Sequence, residues 1–118
     1  VEYTKTREQF GKPIGSFQAI QHKLADSYAL TESLGSLARF AVWAASSAPD
    51  QRRLTARTAV SMAAEICPKV CEAAIQCHGG IGFTWEYDLH LYLRRAKTIQ
   101  ASYSLTDTRV EQLLKTAG

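Results

Sequence analysis

The sequence predicts an all-α fold, a four-helix up-and-down bundle with two long central helices. Three observations carry this. Apolar residues recur at spacings of three and four along most of the chain, no segment alternates cleanly with period two, and glycine and proline gather at a few breaks. At 118 residues the chain reads as one helical domain, 1–118, large enough for a core and too small for two. Its start at Val1, without a methionine, predicts a fragment or a processed piece of a longer chain.

Val1 to about Glu8 resembles the last turns of a longer helix, which Gly11 and Pro13 end. Ser16 is a good N-cap for the next helix, which opens with Phe17, Ile20, Leu24 and Tyr28. The series continues on a slightly rotated stripe through Leu30, Leu34, Leu37, Ala41 and Ala44. A helix from Phe17 to Ala45 would be about 43 Å long, which suits a bundle or an oligomer interface. Ser46-Ser47-Ala48-Pro49-Asp50 reads as the clearest turn.

A second long helix follows, with Leu54, Ala59, Val60, Met62, Ala63, Ile66, Val70, Ala73 and Ala74 as apolar positions and no glycine within it. Pro68 predicts a kink near Ala64 to Cys67, and the Gly79-Gly80 pair predicts the stop. Thr84 can cap a shorter helix that carries Leu89, Leu91, Tyr92, Leu93 and Ala96 and ends near Ile99 or Gln100. Thr106 or Asp107 then caps a last helix with Val110, Leu113 and Leu114. No repeat or low-complexity tract is visible.

Composition narrows the function. Hydrophobic residues at 46% and charged residues at 21% exclude the disordered class. The net charge of +3 is mildly basic, and Arg52-Arg53 and Arg94-Arg95 are spread along the chain, so solvated helix faces explain them better than a nucleic-acid footprint. Cys67, Cys71 and Cys77 are odd in number and lie in or beside one helix, which argues against a disulfide framework and for a reducing, cytoplasmic setting. Small buried hydrophobes describe them better than a zinc site, so no metal is expected. No apolar run approaches the roughly 20 residues of a membrane span.

Three of the seven glycines fall in Gln76-Cys77-His78-Gly79-Gly80-Ile81-Gly82-Phe83-Thr84. On its own this stretch reads as a helix C-cap and loop, or as a place where backbone comes close to a neighbouring helix or a phosphate-bearing ligand. A second block, Arg7-Glu8-Gln9-Phe10-Gly11-Lys12-Pro13-Ile14, changes that balance. Tyr3-x-x-x-Arg7-x-Gln9-Phe10-Gly11-Lys12-Pro13-Ile14, Phe17-Gln18-x-x-Gln21-x-x-Leu24-Ala25-Asp26, Gln76-x-x-Gly79-Gly80-x-Gly82-Phe83-Thr84 and Leu93-Arg94-Arg95-Ala96-Lys97 follow in one order. Together they strongly resemble the C-terminal helical domain of the acyl-CoA dehydrogenases over nearly the whole chain.

The resemblance implies an oxidoreductase of fatty-acid metabolism or a related acyl pathway, an oligomeric FAD flavoprotein that dehydrogenates an acyl-CoA thioester between its α and β carbons. It implies that Arg7 meets phosphate oxygens of FAD bound to a neighbouring subunit, and that the Gln76, Gly79 and Gly80 block meets the ADP part. Gln9, Phe10 and Gln18 complete the implied cofactor set. The chemistry is consistent: a guanidinium fork suits a diphosphate, glutamine amides suit ribose or phosphate oxygens, and glycines let backbone N–H groups approach. The alternatives are ordinary ones, namely a surface ion pair for Arg7, core packing for Phe10 and a solvated face for Gln18 and Gln76. His78 lies in the loop near the implied cofactor, while His22 and His90 fall on helices as partners of acids or as exposed residues.

No catalytic residue is assigned. Many members of the family carry a glutamate base shortly after the Arg-x-Ala-Lys segment, where this chain has Gln100-Ala101-Ser102-Tyr103-Ser104-Leu105-Thr106, with no glutamate between Glu86 and Glu111. Asp107 is better read as a helix cap, and the pKa of Tyr103, near 10 when unperturbed, makes it a poor base. Other branches place the base upstream or pair a catalytic subunit with one that lacks it. The domain alone is expected to be inactive: a FAD-contacting and oligomerisation unit, an enzyme only when completed by missing domains or a homo- or hetero-oligomeric partner. The competing reading is a non-enzymatic helical oligomerisation module that has lost flavin binding.

Overall fold

A computed structural model describes residues 1–103 and Lys115. The fold is all-α, as the apolar spacing predicts, and the bundle measures 57 × 24 × 23 Å. Helix α1 (Glu2–Thr6) leads into a short antiparallel hairpin, β1 (Glu8–Gln9) with β2 (Lys12–Pro13), and then a 3-10 turn at Ile14–Ser16. Helices α2 (Gln18–Ser47) and α3 (Pro49–His78) follow, then a 3-10 helix Gly79–Phe83 and α4 (Leu89–Tyr103). The last helix predicted from Thr106 or Asp107 lies outside the described residues.

Several boundaries differ from expectation for local reasons. Arg7 is already extended, so the first helix stops before Glu8. The hairpin that follows has two-residue strands, too short for a period-two pattern to register, and its turn residues Phe10 and Gly11 both have positive φ. Ser16 does not cap α2. Its hydroxyl donates to Pro13 O at 2.7 Å inside the 3-10 turn, and Phe17 takes the N-cap position. The predicted five-residue turn contracts to Ala48, because α2 runs on through Ser47 and Pro49 opens α3 at a position that costs no helical hydrogen bond. Helix α3 continues through Pro68.

Thr84 likewise does not cap α4; its hydroxyl donates to Ile81 O at 2.7 Å and closes the 3-10 helix. The first turn of α4 instead hangs on Asp88 O, which accepts from Leu91 N and Tyr92 N. That helix extends past Gln100 to Tyr103.

The one-residue connection makes α2 and α3 antiparallel, so the start of α2 meets the end of α3, where Lys23 Nζ donates to Gln76 Oε1. Helix α4 folds back along α3, and Lys97 Nζ pairs with Glu72 Oε1 at 2.8 Å. The buried seam is made largely of small residues, Ala44, Ala64 and Ala96, with Ile66, Ile75 and Cys77 and the polar Thr4, Thr55 and Ser61. Small side chains let helix backbones approach closely, at the cost of little apolar area per residue.

Gly82 pins the far end of α3. A Cβ built there would lie 2.9 Å from Ile75 O and 3.0 Å from His78 Cβ, a backbone contact that cannot yield cheaply. Gly82→Ala is therefore expected to cost about 1–3 kcal/mol, as over-packing of a close contact does. Urea denaturation of the two proteins measures it, and equal midpoints would contradict the close packing.

Candidate functional site at the end of helix α3

The last turn of α3 is where the chain's beginning returns. The Tyr3 ring stacks on the His78 ring with centroids 4.2 Å apart and 18° between planes, and Tyr3 OH makes a long 3.4 Å hydrogen bond to His78 O. Tyr87 closes the cluster at 5.3 Å from His78 and 6.0 Å from Tyr3. Ring Nδ1 of His78 lies 2.8 Å from Ala74 O; a carbonyl only accepts, so Nδ1 carries the proton. Stacking and hydrogen bonding together hold this ring in place and dock α1 onto α3.

Arg7, one residue past α1, is thereby carried to the glycines. A cleft of about 350 Å³ forms, lined by Arg7, Gln9, Gln76, Gly79 and Gly80 together with Tyr3 and His78. Ile14, Ile20 and Ile81 give it apolar wall. Five of the seven residues singled out in the sequence thus share one concavity. The other two flank it without lining it. Phe10 stands at the hairpin tip, 91% exposed, edge-on to Phe17 at 6.2 Å, and Gln18 is exposed on the first turn of α2.

The cleft is rich in donors. Among the described residues no carboxylate lines it and Arg7 makes no ion pair, so the surface ion pair that the sequence offered for Arg7 is not formed there. The C-terminus of a helix is the negative end of its dipole, which disfavours an anion. Here that end is partly neutralised: Gly79 N–H donates to the carbonyls of Gln76 and Ile75, and Tyr3 OH to that of His78. Gly79, at φ 65° and ψ −145°, adopts a backbone conformation that L side chains rarely reach. A Cβ on Gly79 or Gly80 would meet nothing within 4 Å, so the backbone faces open volume where a ligand could lie against it.

Sequence reasoning missed Lys23 and gave Tyr3 no role. Both act through positions more than fifty residues away, which only the antiparallel register reveals. Other candidate chemistries gain nothing. Cys67, Cys71 and Cys77 are free thiols, and burial, with Cys67 and Glu72 nearby, pushes the Cys71 thiol above its ordinary pKa and away from a reactive thiolate. No group of three or more potential metal ligands occurs among the described residues. Arg94 and Arg95 sit on α4 near the stretch that pairs with Glu72, whereas Arg52 and Arg53 lie near the start of α3, roughly 30 Å away at 1.5 Å per residue. The two pairs do not form one basic face. His90 is oriented by Tyr87 O at 3.0 Å and by Trp85, and by no acid among the described residues.

Comparison with known proteins agrees with the architecture. The family described as "Acyl-CoA dehydrogenase, C-terminal domain" matches residues 1–115. Acyl-CoA dehydrogenase IpdE2 of Mycobacterium tuberculosis is 47% identical over 96 residues, which cover 81% of this chain and 28% of that protein. Among solved structures, the ChsE4-ChsE5 complex from Mycobacterium tuberculosis superposes with a TM-score of 0.85 at 32% identity, covering 97% of this chain and 31% of that one. The Tcur3481-Tcur3483 steroid ACAD, a variant, gives 0.85 at 35% identity over 98% of this chain and 32% of that one. The chain spans less than a third of the length of each of these relatives.

The two adjacent glycines are expected to answer differently to the same change. Gly79→Ala forces a methyl into a glycine-favouring conformation and should lose about 1–3 kcal/mol of stability. Gly80→Ala, with open space above it and no positive φ, should change stability by less than about 0.5 kcal/mol. Thermal denaturation of both variants checks the contrast.

Proposed function

The chain belongs to the acyl-CoA dehydrogenase family, whose C-terminal domain it matches, and from that premise we propose that it is the FAD-contacting and oligomerisation domain of such a flavoprotein, acting in α,β-dehydrogenation of an acyl-CoA thioester. One observation carries the reading: residues some seventy positions apart, Arg7 and Gln9 with Gln76, Gly79 and Gly80, line one donor-rich cleft in which no carboxylate stands among the described residues. That donor set suits a diphosphate and its ribose. The guanidinium offers a bidentate fork, the two amides offer further N–H groups, and the bare glycine backbone leaves room for close approach. Its volume lies near the lower end of the roughly 300–1,000 Å³ typical of small-molecule sites, enough for part of a dinucleotide.

In this proposal Arg7, Gln9, Gln76, Gly79 and Gly80 hold the ADP portion of a FAD whose isoalloxazine belongs to a neighbouring subunit. Phe10 and Gln18, outside the cleft, extend the contact along the hairpin tip and the first turn of α2. The bound flavin would supply the hydride acceptor for the β-carbon. The chain itself contributes binding and orientation, and the carboxylate that removes the α-proton comes from another part of the protein or from a partner subunit. Completion by such parts makes the assembly an enzyme; 1–118 form one domain within it.

Association has its own support. Tyr28, Phe40, Val42 and Trp43 on α2 are exposed, Val42 by 73% and Trp43 by 51%, and Phe40 stacks on Trp43 at 5.6 Å. Large apolar groups along a long helix call for a second surface, another domain or another protomer. No helix among the described residues is long and apolar enough to cross a membrane. Free thiols suit a cytoplasmic setting.

Arg7→Ala in the full-length protein should weaken FAD binding about 10- to 100-fold, the loss expected when a charged hydrogen-bonding partner of a phosphate is removed. Gly80→Val should lower flavin occupancy without an equal loss of stability, because its side chain enters open cleft. Titration of FAD into the apoprotein reads both. Unchanged affinity in Arg7→Ala would leave a flavin-free helical oligomerisation module as the surviving account.

A further inference from the structure

Lys23 and Gln76 lie on different helices, 53 residues apart, and meet because α2 and α3 leave their connection in opposite directions. Lys23 Nζ donates to Gln76 Oε1. A lysine ammonium can only donate, so this contact settles the two ends of the amide: the oxygen is taken and the NH2 end is left for another partner. Gln76 is also a wall of the cleft that holds Arg7. The geometry points to Lys23 as a positioning residue that fixes the Gln76 amide, so that Nε2–H joins the guanidinium in facing the ligand. The inference rests on the flavin reading and specifies the chemistry of the ligand's facing atoms: hydrogen-bond acceptors, such as phosphate or carbonyl oxygens.

The pairing is selective. Lys23 is half-buried and, among the described residues, forms no ion pair, although carboxylates stand on both helices. Glu72, one turn before Gln76 on α3, is engaged by Lys97 from α4, and Glu65 by Lys69. The lysine therefore makes its contact with the amide oxygen and with no carboxylate among the described residues. The terminal torsion of a glutamine is broad and roughly two-fold, so an unheld amide offers oxygen or nitrogen with similar ease. Holding it before the ligand arrives removes an ordering cost from binding. It also works against a ligand that presents a donor at this position, which would meet the amide N–H instead of an acceptor.

A double-variant cycle in the full-length protein tests this, with FAD affinity read by titration of the apoprotein. Lys23→Met should weaken binding about five- to tenfold, in line with the loss of one pre-oriented hydrogen bond. Lys23→Arg, also a pure donor, should restore most of the affinity. Gln76→Ala should lose about as much as Lys23→Met, and the double variant should be no more than about twofold worse than Gln76→Ala alone. A merely structural or purely electrostatic lysine would not produce that non-additivity. Additive losses, or an affinity in Lys23→Met equal to that of the unaltered protein, would overturn the assignment. Arg7→Ala measured alongside separates the two levels: loss in Arg7→Ala with additive behaviour at Lys23 and Gln76 overturns the positioning role alone. No loss in Arg7→Ala overturns the flavin reading and this role with it.

Discussion

The candidate site depends on the docking of the first residues onto the end of α3. Tyr3 stacks on His78 across a sequence separation of 75 residues, and that contact delivers Arg7 and Gln9 to the glycines. A stacked aromatic pair contributes roughly 0.5–1.5 kcal/mol beyond its burial, which is modest for closing so long a loop. The closure is affordable because the α2–α3 hairpin has already brought α2's start and α3's end together. What remains is to fasten the short segment before α2, and Gly15 does this by lying against Thr4, with a built Cβ 2.9 Å from Thr4 O. His78 serves two surfaces at once, its Cβ packed against the position of Gly82 and its ring against Tyr3.

Packing elsewhere follows from the same hairpin. A seam of Ala44, Ala64 and Ala96 draws the helices close but removes little apolar area from water, and no large side chain among the described residues is fully buried. At about 25 cal/mol per Å², alanines supply a small share of what the larger residues would if covered. Those larger residues, including Phe40, Val42 and Trp43, are on the outside. The bundle is thus long and slender, with its apolar capacity turned outward. That arrangement makes sense when neighbouring parts of an assembly complete the core.

Much of this was legible in the residues, and the parts that were not have identifiable causes. Spacings of three and four located α2, α3 and α4, because a helix that buries one face must repeat its apolar residues at that interval. Caps were less legible. Ser16 and Thr84 are good N-cap residues by type, yet each hydroxyl closes a preceding 3-10 turn, a competing use open to serine and threonine alike. The glycine pair and the Arg7 block could be seen as two motifs, and their convergence needed the register of the hairpin. Lys23 carried no signal. Nothing local distinguishes a lysine that orients an amide from one that solvates a helix face.

The register also resolves an electrostatic conflict within the site. Helix α3 is 30 residues long and ends at the cleft, so its dipole places about half a negative charge where the proposed ligand would present its phosphates. Gly79 supplies the first answer: its unusual conformation turns the chain and returns its N–H to the Ile75 and Gln76 carbonyls, covering the orphaned acceptors. Lys23 supplies the second, a cation from the opposing helix beside the last turn. Arg7, from the docked segment, supplies the third at the cleft wall. Each comes from a different element, and they gather at the end of α3 only because the helices are antiparallel and the first residues return. Sequence-distant cations thus gather around a glycine-capped helix end and offset part of the negative field that the end of a helix carries.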